Sequence, residues 1–171
     1  LTEVTVEISD ELDALISGVT LLDISYFEMT AARTENSRND VVSDEAARGT
    51  SGAADDVASE IKSSHFLSFE QKEDGTAFRV SLKTTVDSPD GIASVRCVAE
   101  YGVEKVDAKG LSNELLLDFT NHIATMALVP YIRQGLSDIT QRVFGSALLM
   151  PIIRRGELEF SEQDSVSRSA N

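Results

Sequence analysis

Alternation of apolar and polar residues marks three strands in quick succession. In the first, Ile61, Ser63, His65, Leu67 and Phe69 share one face. In the second, Phe78, Val80, Leu82, Thr84 and Val86 face one way, and Arg79, Ser81, Lys83, Thr85 and Asp87 the other. In the third, Ala93, Val95, Cys97, Ala99, Tyr101 and Val103 oppose Ser94, Arg96 and Glu100. Glu73-Asp74-Gly75-Thr76 and Ser88-Pro89-Asp90-Gly91 separate the three and carry turn chemistry. The pattern predicts an antiparallel meander with one dry and one wet face.

A fourth strand is predicted over residues 19–30, which are rich in β-branched and aromatic side chains. Here Leu22, Ile24 and Tyr26 fall in one alternation class, and Leu21, Phe27 and Met29 in the other. Either a bulge or burial on both faces would explain that. Upstream, residues 1–18 form an N-terminal segment. Val4, Val6 and Ile8 alternate like a strand, and Ser9-Asp10-Glu11 before Leu12, Leu15 and Ile16 resembles a capped helical turn. Residues 34–56 are polar, small and acidic, and are expected to be a flexible crossover loop.

The dry face needs a cover. A long helix is predicted over residues 112–144, with Leu115, Phe119, Ile123, Met126, Val129, Ile132, Leu136, Ile139 and Val143 in one stripe. A second apolar set, Leu117, Ala124, Leu128 and Tyr131, lies off it. One sheet hides one stripe, so this set is expected to form an oligomer interface. Pro130 is expected to kink the helix and Gly145 to stop it. An apolar run at 147–153, a short helix at 156–162 and a frayed polar tail at 161–171 follow. The expected class is α+β: a four-stranded antiparallel sheet with the long and short helices packed on one face, as one domain over 19–160.

The chain has 171 residues, with Lys+Arg 15 against Asp+Glu 29 and a formal net charge of −14. Such a balance opposes binding to nucleic acid or to anionic lipid. The single cysteine, Cys97, excludes an internal disulfide framework and any cysteine-based zinc cluster. It fits a reducing compartment, and a cytoplasmic location is expected. No uninterrupted apolar run nears the ~20 residues of a membrane helix. Residues 1–8 lack the basic start of a signal peptide.

Chemistry is sparse. P-loop, dinucleotide and nucleophile-elbow motifs are missing. His65, His122 and Cys97 have no metal-ligand spacing, and Asp55-Asp56 is a solvated pair. No catalytic residue, metal or cofactor is expected. Much apolar surface, strong acidic charge and no reaction centre together describe a binding protein. The rival classes are an oligomeric enzyme and a structural oligomerisation domain, each with an unrecognised site. Ile24, Tyr26 and Met29 on the first strand, with Leu149, Ile152 and Leu158 opposite, exceed what one sheet and one stripe can cover. They are expected to line a groove for apolar clients.

Val129-Pro130-Tyr131-Ile132-Arg133, then Ser137, Arg142 and Gly145, resembles the helix pattern of the SecB export chaperones. Leu149-Met150-Pro151 resembles the family's L-x-P, and Leu22-Asp23-Ile24-Ser25-Tyr26 its first strand. The order of elements agrees over residues 19–160. The resemblance implies a homotetramer, a dimer of dimers with long helices layered between two eight-stranded sheets. It also implies an ATP-independent holdase for unfolded polypeptides, serving either export or an aggregation-prone antitoxin of a toxin–antitoxin system. Export members dock on SecA through outer-face acids. Asp23 matches the first of these, and Glu28 and Glu100 are the nearest candidates for the others. Those mismatches and the 34–56 insertion favour the antitoxin branch as a rival.

Overall fold

The computed structural model describes residues 10–35, 61–150, 158–161 and 165–167. The chain runs through α1 (Asp10–Gly18), β1 (Val19–Arg33), β2 (Lys62–Gln71), β3 (Ala77–Ser88) and β4 (Gly91–Val103). A 3-10 turn, Ala108–Gly110, precedes α2 (Asn113–Phe119), a π turn (Thr120–Ala124), α3 (Thr125–Val143) and β5 (Ser165–Ser167). The sheet order is β1-β4-β3-β2-β5. Strands β1 to β4 pair antiparallel, and β5 adds parallel to β2.

The meander forms as its alternation predicts. Phe78, Val80, Leu82, Thr84 and Val86 are buried, as are Ala93, Val95, Cys97, Ala99 and Tyr101. Phe78 stacks on Tyr101, and Phe119 meets both rings edge-on, with centroids 5.4 and 4.9 Å away. The β2–β3 turn closes with Gly75 N–H on the Lys72 carbonyl at 3.0 Å, and Asp74 accepts from Thr76 N–H at 3.0 Å. At the next turn an added Cβ on Gly91, whose φ is +147°, would collide with the Ala32 carbonyl oxygen. Only glycine lets β1 and β4 approach there.

The helix keeps most of the expected stripe: Phe119, Val129, Ile132 and Leu136 are buried, and Leu115, Ile123, Ile139 and Val143 pack against the core. Leu116, Thr120, Ala124, Leu128, Ile132, Leu136 and Thr140, each four residues after the last, are all buried. Within α3 the buried set Thr125, Leu128, Val129, Ile132, Gly135, Leu136 and Thr140 keeps the three-and-four spacing of an ordinary α-helix. Leu117, Ala124 and Leu128 also belong to the core of the chain itself. That corrects their assignment to an oligomer interface: their side chains are buried within the single chain. Tyr131, the fourth of that set, is exposed, and so is Met126 of the predicted stripe. Pro130 lies within α3, and the helix stays continuous over Asn113–Val143. This helix has the length and hydropathy of a membrane span, but half of its most apolar window is buried inside the domain.

Ser112 caps α2 by accepting from Leu115 N–H at 3.1 Å. The Thr140 hydroxyl, donating to the Leu136 carbonyl, accepts from Leu148 N–H at 2.8 Å and ties the following segment back onto α3. Leu12 and Leu15 of α1 enter the same core. Residues 158–161 are not helical, in contrast to the expected short helix at 156–162. β5 forms where a frayed tail was expected. Residues 36–60, which include most of the expected 34–56 loop with Asp55 and Asp56, lie outside the described residues, as do 1–9.

Candidate functional site at the β1 edge

β1 is an edge strand of 15 residues, hydrogen-bonded only to β4 among the described strands. Two register shifts, between Leu21 and Asp23 and between Tyr26 and Glu28, leave Leu22 and Phe27 as bulge residues. Each bulge inverts the phase of the strand. Leu21, Ile24, Tyr26, Met29 and Ala31 thus all oppose dry-face residues of β4: Tyr101, Ala99, Cys97, Val95 and Ala93. The mixed alternation classes of the sequence resolve into one apolar row plus two outliers. This row overhangs the helix cover. Leu21, Tyr26 and Met29 are exposed, and Leu22 and Phe27 are each 58% exposed. Ile24 is half-buried against the core.

Tyr26 connects the strand to α3. Its hydroxyl donates to the Tyr131 carbonyl at 2.9 Å, and the two rings lie 6.3 Å apart. Burial first, then the Cys97 thiol, Asp138 and Tyr131, push its phenol above the usual range. Gly135 makes this approach feasible: a Cβ there would sit 2.9 Å from Tyr26 Cε1 and 3.0 Å from Val95 Cγ1. Burial alone raises Cys97 to about 12, so its thiol is inert filler beneath Tyr26.

The other predicted wall lies elsewhere. Leu149, 80% exposed, lines a cleft of about 270 Å³ with Pro130, Arg133, Gln134, Ser137 and Met150. Residues two apart leave an α-helix on nearly opposite sides. Arg133 and Ser137 face this cleft while Gly135 between them faces Tyr26, so α3 separates Leu149 from the β1 row. Ile24, Tyr26 and Met29 do not form a single groove with Leu149. Leu158 is half-buried and packed on the core, and Ile152 lies outside the described residues.

The outer sheet face carries the three acids singled out for docking. Asp23 is opposite Glu100 in the β1–β4 register, and Glu28 is opposite Arg96. Glu100 takes Lys72 at 2.9 Å and Arg79 at 2.8 Å, and hydrogen bonds from those two, Lys72 first, hold its carboxyl below the usual range. Glu28 takes Lys83 at 2.9 Å. Asp23 accepts from the Ser25 hydroxyl. Arg96 donates to Ser81 at 2.7 Å and lies 5.8 Å from the Phe27 ring centroid. Two of the three carboxylates are therefore neutralised by cations of their own sheet.

Both histidines hydrogen-bond within the domain. His65 Nδ1 meets Thr84 Oγ1 at 2.9 Å, and burial lowers its pKa. His122 Nδ1 donates to the Asp118 carbonyl at 2.8 Å. Among the described residues, no group of three His, Cys, Asp or Glu side chains is placed to hold a metal ion. Leu21, Leu22 and Phe27 were not singled out from the sequence as site residues. The signal for them was the doubled alternation of β1, which a bulge re-phases.

No protein-family model matches the chain, and no curated protein matches it. Among solved structures, it is similar to the Mycobacterium tuberculosis SecB-like chaperone Rv1957 in complex with a ChAD peptide from the HigA1 antitoxin. That match has a TM-score of 0.61 at 16% identity and covers 83% of this chain and 92% of the other. A protein of unknown function from Streptococcus agalactiae aligns at 5% identity and a TM-score of 0.37, over 78% and 97%, too loosely to inform the reading. Strand order, edge strand and long helix together place this chain on the SecB-like α+β scaffold.

Proposed function

We propose that this protein is an ATP-independent holdase chaperone that binds unfolded or aggregation-prone polypeptides. The observation that carries the reading is β1, an edge strand with Leu21, Leu22, Tyr26, Phe27 and Met29 exposed along it. A folded domain rarely leaves so apolar an edge open unless another chain takes it. The structural neighbour, solved with an antitoxin peptide bound, supports a client polypeptide as that chain.

In this reading the chains assemble through α3 as a homotetramer, a dimer of dimers, which leaves the β1 edge to the client. Met126, exposed on α3, supplies a helix contact that Leu117, Ala124 and Leu128 cannot. The client packs on the flank of Tyr26, Met29 and Tyr131, with the Leu149 cleft as a second apolar foothold. Strong net negative charge keeps such a surface soluble, and the protein works in the cytoplasm. A dedicated client, an antitoxin-like segment, is favoured over delivery to SecA. Glu28 and Glu100 are committed to Lys83, Lys72 and Arg79, which leaves Asp23 as the one outer-face acid of the three without an ion pair.

The test is light scattering of a thermally unfolded client without nucleotide. Stoichiometric suppression is expected; no effect at several-fold molar excess would refute the holdase reading.

A further inference from the structure

The far edge of the sheet is the second place where a strand can add. β2 spans ten residues, yet β5 pairs only with Leu67, Ser68 and Phe69. The rest of that edge carries no strand among the described residues. β5 is the shortest strand of the sheet, three residues of sequence Ser-Val-Ser, and it runs parallel to β2. Parallel pairing is weaker per residue than antiparallel, and three residues form few ladder bonds.

Its attachment lies just upstream. The Asn121 side chain donates to the Phe160 carbonyl at 3.0 Å and accepts from Phe160 N–H at 2.9 Å. The Phe160 ring is buried in the core. Asn121 sits in the π turn, so a break in helix regularity presents this two-point clamp. Four residues separate the clamp from β5. The strand can therefore leave β2 while its root stays fixed. Beside the edge, Phe66 on the outer face is 48% exposed and Ile61 is 58% exposed, offering apolar contacts to a longer occupant.

We infer that the β2 edge is a strand-docking site for an extended client segment, which β5 holds as a tethered, displaceable occupant. Main-chain pairing along an edge reads no sequence, which suits an unfolded polypeptide. A client strand covering most of β2 outcompetes a three-residue one, and the tether returns β5 when the client leaves. This inference rests on the holdase reading and adds a second, self-covered site on the edge opposite β1.

The test measures binding of fluorescein-labelled, reduced and carboxymethylated α-lactalbumin by anisotropy. It uses the full chain, a chain ended after Ser161, and the full chain carrying Val166→Pro, which removes a strand N–H. Ending the chain is expected to tighten binding about tenfold if β5 covers the edge nine-tenths of the time. Val166→Pro should do the same in part. Phe66→Ser in the shortened chain should cancel the gain. Equal or weaker binding by both the shortened chain and Val166→Pro, with native circular dichroism, would overturn the inference and leave the holdase reading standing. No binding by any form would refute the holdase reading itself, and the inference with it.

Discussion

β3 and β1 belong to one sheet and are of similar length, yet they solve opposite problems. β3 alternates strictly, lies between two neighbours, and buries Phe78, Val80, Leu82, Thr84 and Val86. β1 has one neighbour, two bulges and apolar side chains that remain in water. The first is frame and the second is interface. The difference does not lie in hydrophobicity, since both strands are apolar. It lies in whether the apolar residues keep a single phase that one cover can bury.

The sharpest way to break this division is Leu128→Asp. Leu128 is fully buried in the chain's own core, so an unpaired carboxylate there should cost several kcal/mol and unfold the domain. Urea denaturation should show the loss within a single chain. Dissociation into subunits with native circular dichroism would instead make Leu128 an interface residue.

Met29→Ser and Tyr131→Ser probe the opposite side. Both side chains are exposed, so stability should move by no more than about 0.5–1 kcal/mol. Client binding should weaken by about 1–2 kcal/mol for each. A large fall in melting temperature with unchanged affinity would reassign them to the frame.

The smallest effect concerns the ion-paired outer face. Hydrogen bonds from Lys72 and Arg79 depress the pKa of Glu100 below its ordinary 4.5. A depressed carboxyl stabilises the fold above its unfolded pKa, and that contribution disappears as pH falls through the lower, folded value. Glu100→Gln should therefore cost stability at pH 7, with the gap to wild type closing below pH ~4. A gap that persists at pH 2.5 would mean that Glu100 acts through packing.

The meander was legible because its strands keep one phase between turns of strong chemistry, such as Asp74-Gly75. In β1 the doubled alternation announced a bulge, but not that there are two or which residues they free. The helix stripe was legible at Phe119, Val129, Ile132 and Leu136, but the width of the buried face was not. Met126 of the stripe is exposed, while Leu117, Ala124 and Leu128, placed off it, are buried on a face wider than one stripe. No local sequence signal gives that width, because it depends on what the sheet offers opposite. The Asn121–Phe160 clamp joins residues 39 apart and was invisible for the same reason. Glu28 and Glu100 were legible as outer-face acids, but their cation partners come from β3 and the β2–β3 turn through sheet register.

Hydrogen exchange of the assembled protein, with and without saturating reduced and carboxymethylated α-lactalbumin, tests the central claim most directly. The account predicts that client binding slows exchange in β1, at Tyr26 to Met29, and along α3 near Tyr131, while β3 and β4 stay as protected as before. Unchanged exchange in β1 and α3 under saturating client, or protection gained only in the β3–β4 frame, would contradict it.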